Sequence, residues 1–241
     1  MAAYVSTDNR PEENLPNRAV FQSYIWTCAK YDFSPYEKRI IYRLIEFAQR
    51  WIEGVKLKDN LRKIEPSDCG MNITMPVADI LRDENDHNYA KAKAAFTSLS
   101  KKGAEYEDDK IWFYTAIIEH PKIELGTGLA TFHVYEPVWR AALDFTKGFR
   151  KYELATAMKF KSVYAMRFYE LLNGQVKPLF VSLDGEHGLR ERFGLKDKYD
   201  GFPLCFIEIR KNYFPCSNCN VLVAWSQTSV GPKYWIGPGY T

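Results

Sequence analysis

Cysteine, histidine and tyrosine are the residue types from which this chain could build a reactive centre, and their spacing argues against one. Cys216-Ser-Asn-Cys219 has the C-x-x-C spacing of zinc sites and redox pairs. A structural zinc needs four ligands, however, and the nearest further donors, Cys205 and His187, stand at no recognised spacing. The five cysteines (Cys28, Cys69, Cys205, Cys216 and Cys219) are odd in number and follow no secretory leader, so free thiols are expected rather than a disulfide framework. His87, His120, His133 and His187 form no H-x-H or H-E-x-x-H pair. A nicking reaction that sets a metal beside a tyrosine nucleophile is therefore disfavoured despite 16 tyrosines. No G-x-x-x-x-G-K-[ST] loop is present, Gly126-Thr-Gly128 fits a hairpin turn, and the carboxylates are dispersed. The expectation is a chain that is not an enzyme and uses no cofactor or metal.

The basic residues carry more information. On a helix from His87 to Lys102, at about 100° per residue, Tyr89, Ala92, Phe96 and Leu99 fall on one side and face a core. The opposite side holds His87, Ala90, Lys91, Ala94, Ser98, Lys101 and Lys102. Small side chains let a helix backbone lie close to a groove floor, and flanking lysines reach phosphates. Such a face also suits plain solvent. Lys147, Arg150, Lys151, Lys159, Lys161 and Arg167 form a second concentration, interleaved with Phe160, Val163, Tyr164, Phe168, Leu171 and Leu172. This helix is a candidate for crossing a DNA backbone, although the same charges could simply solubilise a domain. A third run, Phe206 to Tyr213, offers Arg210 for guanine, Asn212 for adenine and Lys211 beside them, with Glu208 intruding.

These faces matter only if the fold presents them. Residues 1–16 are polar and aperiodic and are expected to form a flexible arm. From Arg18 the pattern turns helical, with Val20, Tyr24 and Cys28 four apart. Ser34-Pro35-Tyr36-Glu37 then supplies an N-cap, a first-turn proline and a capping-box glutamate for a helix carrying Ile40, Ile41, Leu44, Ile45, Ala48, Trp51 and Ile52, ended by Gly54. A strand (Gly70 to Met75), a short helix (Pro76 to Leu81), a polar turn and the His87–Lys102 helix follow. A two-stranded hairpin of Ile111 to Ile118 and Ala130 to Tyr135 completes the order of a winged helix-turn-helix. A helix from Val138 to Phe145 leads to a boundary at 146/147. A similar order then restarts: a long helix from Glu153 to Leu172, a strand at Leu179 to Leu183, and a short helix at His187 to Phe193. A helix from Phe202 to Tyr213 and strands at Val221 to Trp225 and Tyr234 to Ile236 close it. The expected fold is α+β, two winged-helix domains in tandem at 17–146 and 147–241, the second altered at its C-terminal end.

Bulk properties are compatible. At 46% apolar and 15% aromatic, the 241 residues can fill one large core or two ordinary ones. The net charge of +3 does not by itself indicate nucleic acid; the clustering does. No stretch approaches the ~18–20 apolar residues of a bilayer span, so a cytoplasmic protein without membrane partners is expected.

Three segments resemble the initiator replication protein family, plasmid initiators that bind repeated origin sequences (iterons). Phe33 to Ile45 is similar to that family's early helix. Met158-Lys-Phe-Lys-Ser-Val-Tyr-Ala-Met-Arg-Phe-Tyr-Glu-Leu-Leu172 resembles its most recognisable segment, and Leu189 to Tyr199 the element after it. The resemblance implies two winged-helix domains, the first also used for dimerisation and the second the main reader of the iteron. It implies DNA contact by Lys159, Lys161, Ser162 and Arg167. It further implies monomers on origin repeats, homodimers in autorepression, and recruitment of host replication proteins. After Phe202 the sequence departs from the family pattern, with Pro203-Leu-Cys205 and a Gly/Pro-rich tail. A transcriptional regulator that uses the same modules without initiating replication is the alternative, and a protein-interaction module is a third.

Overall fold

Helix α2 (Pro35–Glu53) begins as its sequence dictates. The Ser34 hydroxyl accepts the Glu37 backbone N–H at 3.3 Å, while the Glu37 carboxylate accepts the Ser34 N–H at 2.5 Å, a reciprocal capping box. The helix ends at Gly54 in the left-handed region, φ 63°. Ile40, Ile41, Leu44, Ile45 and Ala48 are fully buried as the stripe predicts, whereas Trp51 and Ile52 emerge into solvent at the last turn. More than the stripe is inside: Glu37, Lys38, Arg39, Glu46, Gln49 and Arg50 are buried too. Helix α2 runs through the middle of the fold, and its charged residues must find partners there.

The structure is a computed structural model that describes residues 19–28, 32–54, 61–107, 112–146, 148–173, 179–181, 221–228 and 231–238. Around α2, strands β2 (Lys63–Ser67), β3 (Gly70–Pro76), β6 (Glu119–Glu124) and β7 (Leu129–Tyr135) form an antiparallel sheet in the order β2-β3-β7-β6. Ile73, Met75, Ala130, Phe132 and Val134 point inward, and the residues between them face out. A 3-10 turn (Val77–Ile80), helix α3 (Tyr89–Leu99) and the hairpin of β4 (Gly103–Glu107) with β5 (Trp112–Ala116) lie between β3 and β6 in sequence. Helix, strand, short helix, helix, then the β6–β7 hairpin is a winged-helix arrangement with an inserted hairpin and the extra strand β2.

Four expectations need correction. The strands expected at 111–118 and 130–135 do not form a hairpin with each other: β5 pairs with β4, and β7 with β3 and β6. The segment after Arg18 is not one helix: strand β1 (Ala19–Ser23) precedes a short helix α1 (Tyr24–Cys28). Its i, i+4 spacing is overridden by antiparallel pairing with β8 (Phe149–Glu153), from Ala19↔Glu153 to Ser23↔Phe149. Nor is Glu153 to Leu172 one helix. Helices α5 (Leu154–Lys159) and α6 (Val163–Leu172) are separated at residues 160–162, where Ser162 caps α6 by accepting the Tyr164 N–H at 3.2 Å. Finally, the boundary at 146/147 falls within one core. Helix α4 (Glu136–Leu143), β8, α5 and α6 bury Trp139, Tyr152, Met158 and Met166 in the same cluster as Ile40 and Phe132. Strands β9 (Leu179–Val181), β10 (Val221–Thr228) and β11 (Gly231–Pro238) form a separate antiparallel sheet, β10-β11-β9, with strands where the sequence places them. The helices expected at 187–193 and 202–213 lie outside the described residues.

A buried polar chain ties α6, β1 and β8 to α2. Lys38 pairs with Glu170 at 2.9 Å, both essentially without solvent access, and the Tyr42 hydroxyl donates to the same carboxylate at 2.5 Å. Gln22 donates to Glu170 at 2.7 Å and accepts from the Tyr152 hydroxyl at 2.7 Å. Buried charges are tolerable only when every partner is present. Glu170→Ala removes the carboxylate that Lys38, Tyr42 and Gln22 share and should cost about 3–5 kcal/mol of folding free energy, read as a lower urea midpoint; a change under ~1 kcal/mol would refute the network's role.

Candidate nucleic-acid interface

Helix α3 packs through Ala92, Ala95, Phe96 and Leu99, an i, i+3, i+4, i+7 set, with the Phe96 ring 5.7 Å from that of Phe132 on β7. Its other side presents Ala90, Lys91, Lys93, Ala94 and Thr97 to solvent. Tyr89, expected in the core, is 52% exposed at the first turn and joins that face. His87 and Lys101, just outside the helix, are exposed as expected.

Ser98 and Lys102 point elsewhere. The Lys102 ammonium pairs with Glu37 at 2.9 Å, donates to the Asp32 carbonyl, and lies 5.4 Å over the Phe33 ring. Ser98 also hydrogen-bonds Glu37. Both residues fasten the end of α3 to the start of α2, a tie no periodicity argument could distinguish from a solvent-facing lysine and serine. Burial pushes the Glu37 carboxyl up, but hydrogen bonds from the Ser34 N–H, Lys102, Ser98 and the Ser34 hydroxyl prevail and hold it below the usual carboxylate range.

At the other end of α3, Asp86 fixes the entry. Its carboxylate accepts the Tyr36 hydroxyl at 2.8 Å and the backbone N–H groups of Arg82 and Asn88 at 3.1 and 3.2 Å. Desolvation raises its pKa, and these donors bring it down to a net value below the ordinary one. The buried Arg39 guanidinium, 5.0 Å over the Tyr36 ring, donates to the carbonyls of Met158 and Phe160 at 3.0 and 2.9 Å. Arg39 thereby clamps the end of α5 and sets the residues that follow it beside α3.

The result is a cleft of about 630 Å³ whose rim includes Arg82, Asn88, Lys91, Ala94 and Lys161. Two basic concentrations remote in sequence thus converge, Lys91 from α3 and Lys161 from the α5–α6 junction. Lys159 is exposed nearby in the chain, and Lys151 and Arg150 lie on β8 over the rings of Phe21 and Tyr24, at 5.4 and 4.8 Å. Ser162 serves as the α6 cap. Arg167, expected at the surface, is 3% exposed, because α6 is enclosed by α1, α2, α5 and β8 rather than presenting a basic stripe. Lys147, Arg210, Lys211 and Asn212 lie outside the described residues. Sequence reasoning missed Arg39, Arg82 and Lys93. Lys93 and Thr97 line a second cleft, about 180 Å³, against Pro121, Ile123 and Leu125 of the β6–β7 hairpin, whose tip residue Leu125 is 86% exposed.

Because Glu37 and Asp86 both titrate below their unfolded values, the stability they provide is complete above the ordinary carboxylate range, ~pH 4–4.5, and is lost as pH falls through their folded values. Melting curves between pH 7 and 3 should show this acid limb. Asp86→Asn should lower Tm at pH 7 and flatten the limb; an unchanged limb would exclude Asp86 as a contributor.

Among the described residues, no three His, Cys, Asp or Glu side chains are placed to hold a metal ion, and no helix is long and apolar enough to cross a membrane. Comparison with curated proteins finds no match. Among solved structures, one described as "Crystal structure of Pi initiator protein in complex with iteron DNA" superposes with a TM-score of 0.63 over 92% of this chain and 98% of that one, at 14% identity. At that identity the likeness is one of fold. The profile of the family described as "Initiator Replication protein, WH1" matches residues 19–173, from β1 to the end of α6, and by that match the chain belongs to the initiator replication protein family.

Proposed function

We propose that this chain is a sequence-specific double-stranded DNA-binding protein that initiates plasmid replication at repeated origin sequences. The observation that carries the reading is the convergence of Lys91 and Lys161 on one cleft beside the small-residue face of α3. In this reading α3 lies against a duplex with its alanines toward the groove. Lys91, Lys161 and the outlying Lys101 and Lys159 neutralise phosphates, and the exposed tip of the β6–β7 wing follows the adjacent backbone. The protein works by binding and deforming DNA, without making or breaking a covalent bond. Family membership supports the initiator role, and the solved neighbour is an initiator in complex with iteron DNA.

Finer parts of the reading belong here too. The reading extends to a second winged-helix unit, to which the sheet β10-β11-β9 contributes, and assigns base reading to Arg210, Lys211 and Asn212. Monomers occupy origin repeats, homodimers act in repression, and host replication proteins are recruited to the opened site in the cytoplasm.

Mobility shifts on a duplex carrying tandem direct repeats, across a salt series, test the reading. Lys91→Ala and Lys161→Ala should each weaken binding and reduce the salt slope by about one. Affinity and slope unchanged in both variants would rule out this face. Arg167→Ala should instead lower stability while leaving the slope of the folded protein intact. A plasmid carrying those repeats should be maintained with the native chain and lost with the double variant; maintenance independent of the protein would point to a regulator.

A further inference from the structure

The outer face of the β2-β3-β7-β6 sheet, across from the helices, brings together a cysteine, a histidine and a glutamate that the DNA reading does not use. In strand register, Glu65, Asn72, His133 and Glu119 lie side by side on β2, β3, β7 and β6. His133 Nδ1 is 3.2 Å from Glu119 Oε2, and the other carboxylate oxygen accepts the Thr115 hydroxyl at 3.2 Å. An ionised carboxylate can only accept, so Nδ1 carries a proton, and in the neutral imidazole Nε2 is the acceptor. Two donors meet Nε2: the Ser67 hydroxyl at 3.0 Å and the Cys69 thiol at 3.8 Å.

The backbone holds this arrangement closely. Cys69 sits in the β2–β3 turn, its carbonyl accepting the Glu136 N–H of α4 at 2.8 Å. At Gly70 a Cβ would stand 2.1 Å from the Val134 carbonyl oxygen and 3.0 Å from His133 Nε2. Only glycine lets the turn lie this close to the imidazole. The Cys69 side chain is exposed, so reagents reach it.

A thiol becomes nucleophilic when a base takes its proton, and an imidazole oriented by a carboxylate is the base most often used. We propose that Cys69 is a primed surface thiol, at which peroxides and other soft electrophiles react with this chain. Nε2 of His133 takes the sulfur-bound proton. The thiolate electron pair attacks one peroxide oxygen; an S–O bond forms as the O–O bond breaks. The departing hydroxide takes a proton from the imidazolium and leaves as water. Sulfur is oxidised by two electrons to the sulfenic acid, the peroxide is reduced by two, and His133 returns to its starting state. The other titratable or charged groups on the elements meeting here are Lys63 and Glu65 of β2, Asp68 of the turn, His120, Lys122 and Glu124 of β6, the last two paired at 3.6 Å, and Glu136, which pairs with Arg140 on α4 at 2.6 Å.

The test treats the full chain with hydrogen peroxide at pH 7, traps the sulfenic acid with a dione reagent, and reads each cysteine peptide by mass spectrometry. With a base within reach of the sulfur-bound proton, Cys69 should react about three- to tenfold faster in the folded chain than in urea. His133→Asn should abolish that advantage, Glu119→Gln should halve it or more, and Ser67→Ala, which removes the competing donor, should increase it. A folded-chain rate no greater than the rate in urea, which needs no variant, would overturn the proposal. So would equal rates in the native chain, His133→Asn and Glu119→Gln.

Discussion

The fold depends on one constraint: α2 is enclosed on nearly every side yet carries a lysine, two arginines and two glutamates into the interior. A buried charge without a partner costs several kcal/mol, so each of these residues must be paired, and Glu37, Lys38 and Arg39 are paired by other elements. Lys38 specifies α6 through Glu170, and Arg39 specifies the turn of α5 through two carbonyls. Glu37 fixes the end of α3 through Lys102, while Glu46 is held between Arg43 and Arg50 on its own helix. Apolar burial supplies the driving force but is indifferent to direction. Here the polar pairs provide orientation, so the arrangement of elements around α2 is set by hydrogen-bond geometry as much as by packing.

The interface inherits that orientation. Helix α3 is fastened at both ends to the first turn of α2, by Asp86 to Tyr36 and by Lys102 to Glu37. Lys161 reaches the same cleft because Arg39, from the next turn, holds the carbonyls just before it. Three consecutive buried residues, Glu37, Lys38 and Arg39, therefore position the end of α3, the network around Glu170 and the segment that carries Lys161. The exposed residues of the cleft, Ser34, Asn85, Asn88, Lys91, Ala94 and Lys161, stand on the buried Glu37, Arg39 and Asp86.

What the sequence disclosed, and what it withheld, follows from the range of each interaction. The Ser34 cap, the α2 stripe, the alternation in β7 and the segment 158–172 are local signals and were legible. Strand β1 was not, since its conformation is set by a partner about 130 positions away, and Val20, Tyr24 and Cys28 fit a helical period by coincidence. Lys102 and Arg167 read as surface cations because spacing reports a face, not what covers it. Only the fold shows that α3's end meets Glu37 and that α6 is enclosed. The His133–Cys69 approach was likewise invisible, as it joins residues 64 positions apart across three strands.

The pairing of β1 with β8 also bears on the order in which the chain can assemble. Strand β1 has no sheet neighbour other than β8 among the described residues, and Gln22 within it completes the coordination of Glu170. During synthesis α2, α3 and the four-stranded sheet can collapse first, on contacts closer in sequence, while β1 waits with its backbone groups on water. Closure then requires β8 and Glu170 to have left the ribosome, so a strand made before α2 is locked into place only after α6 has been made.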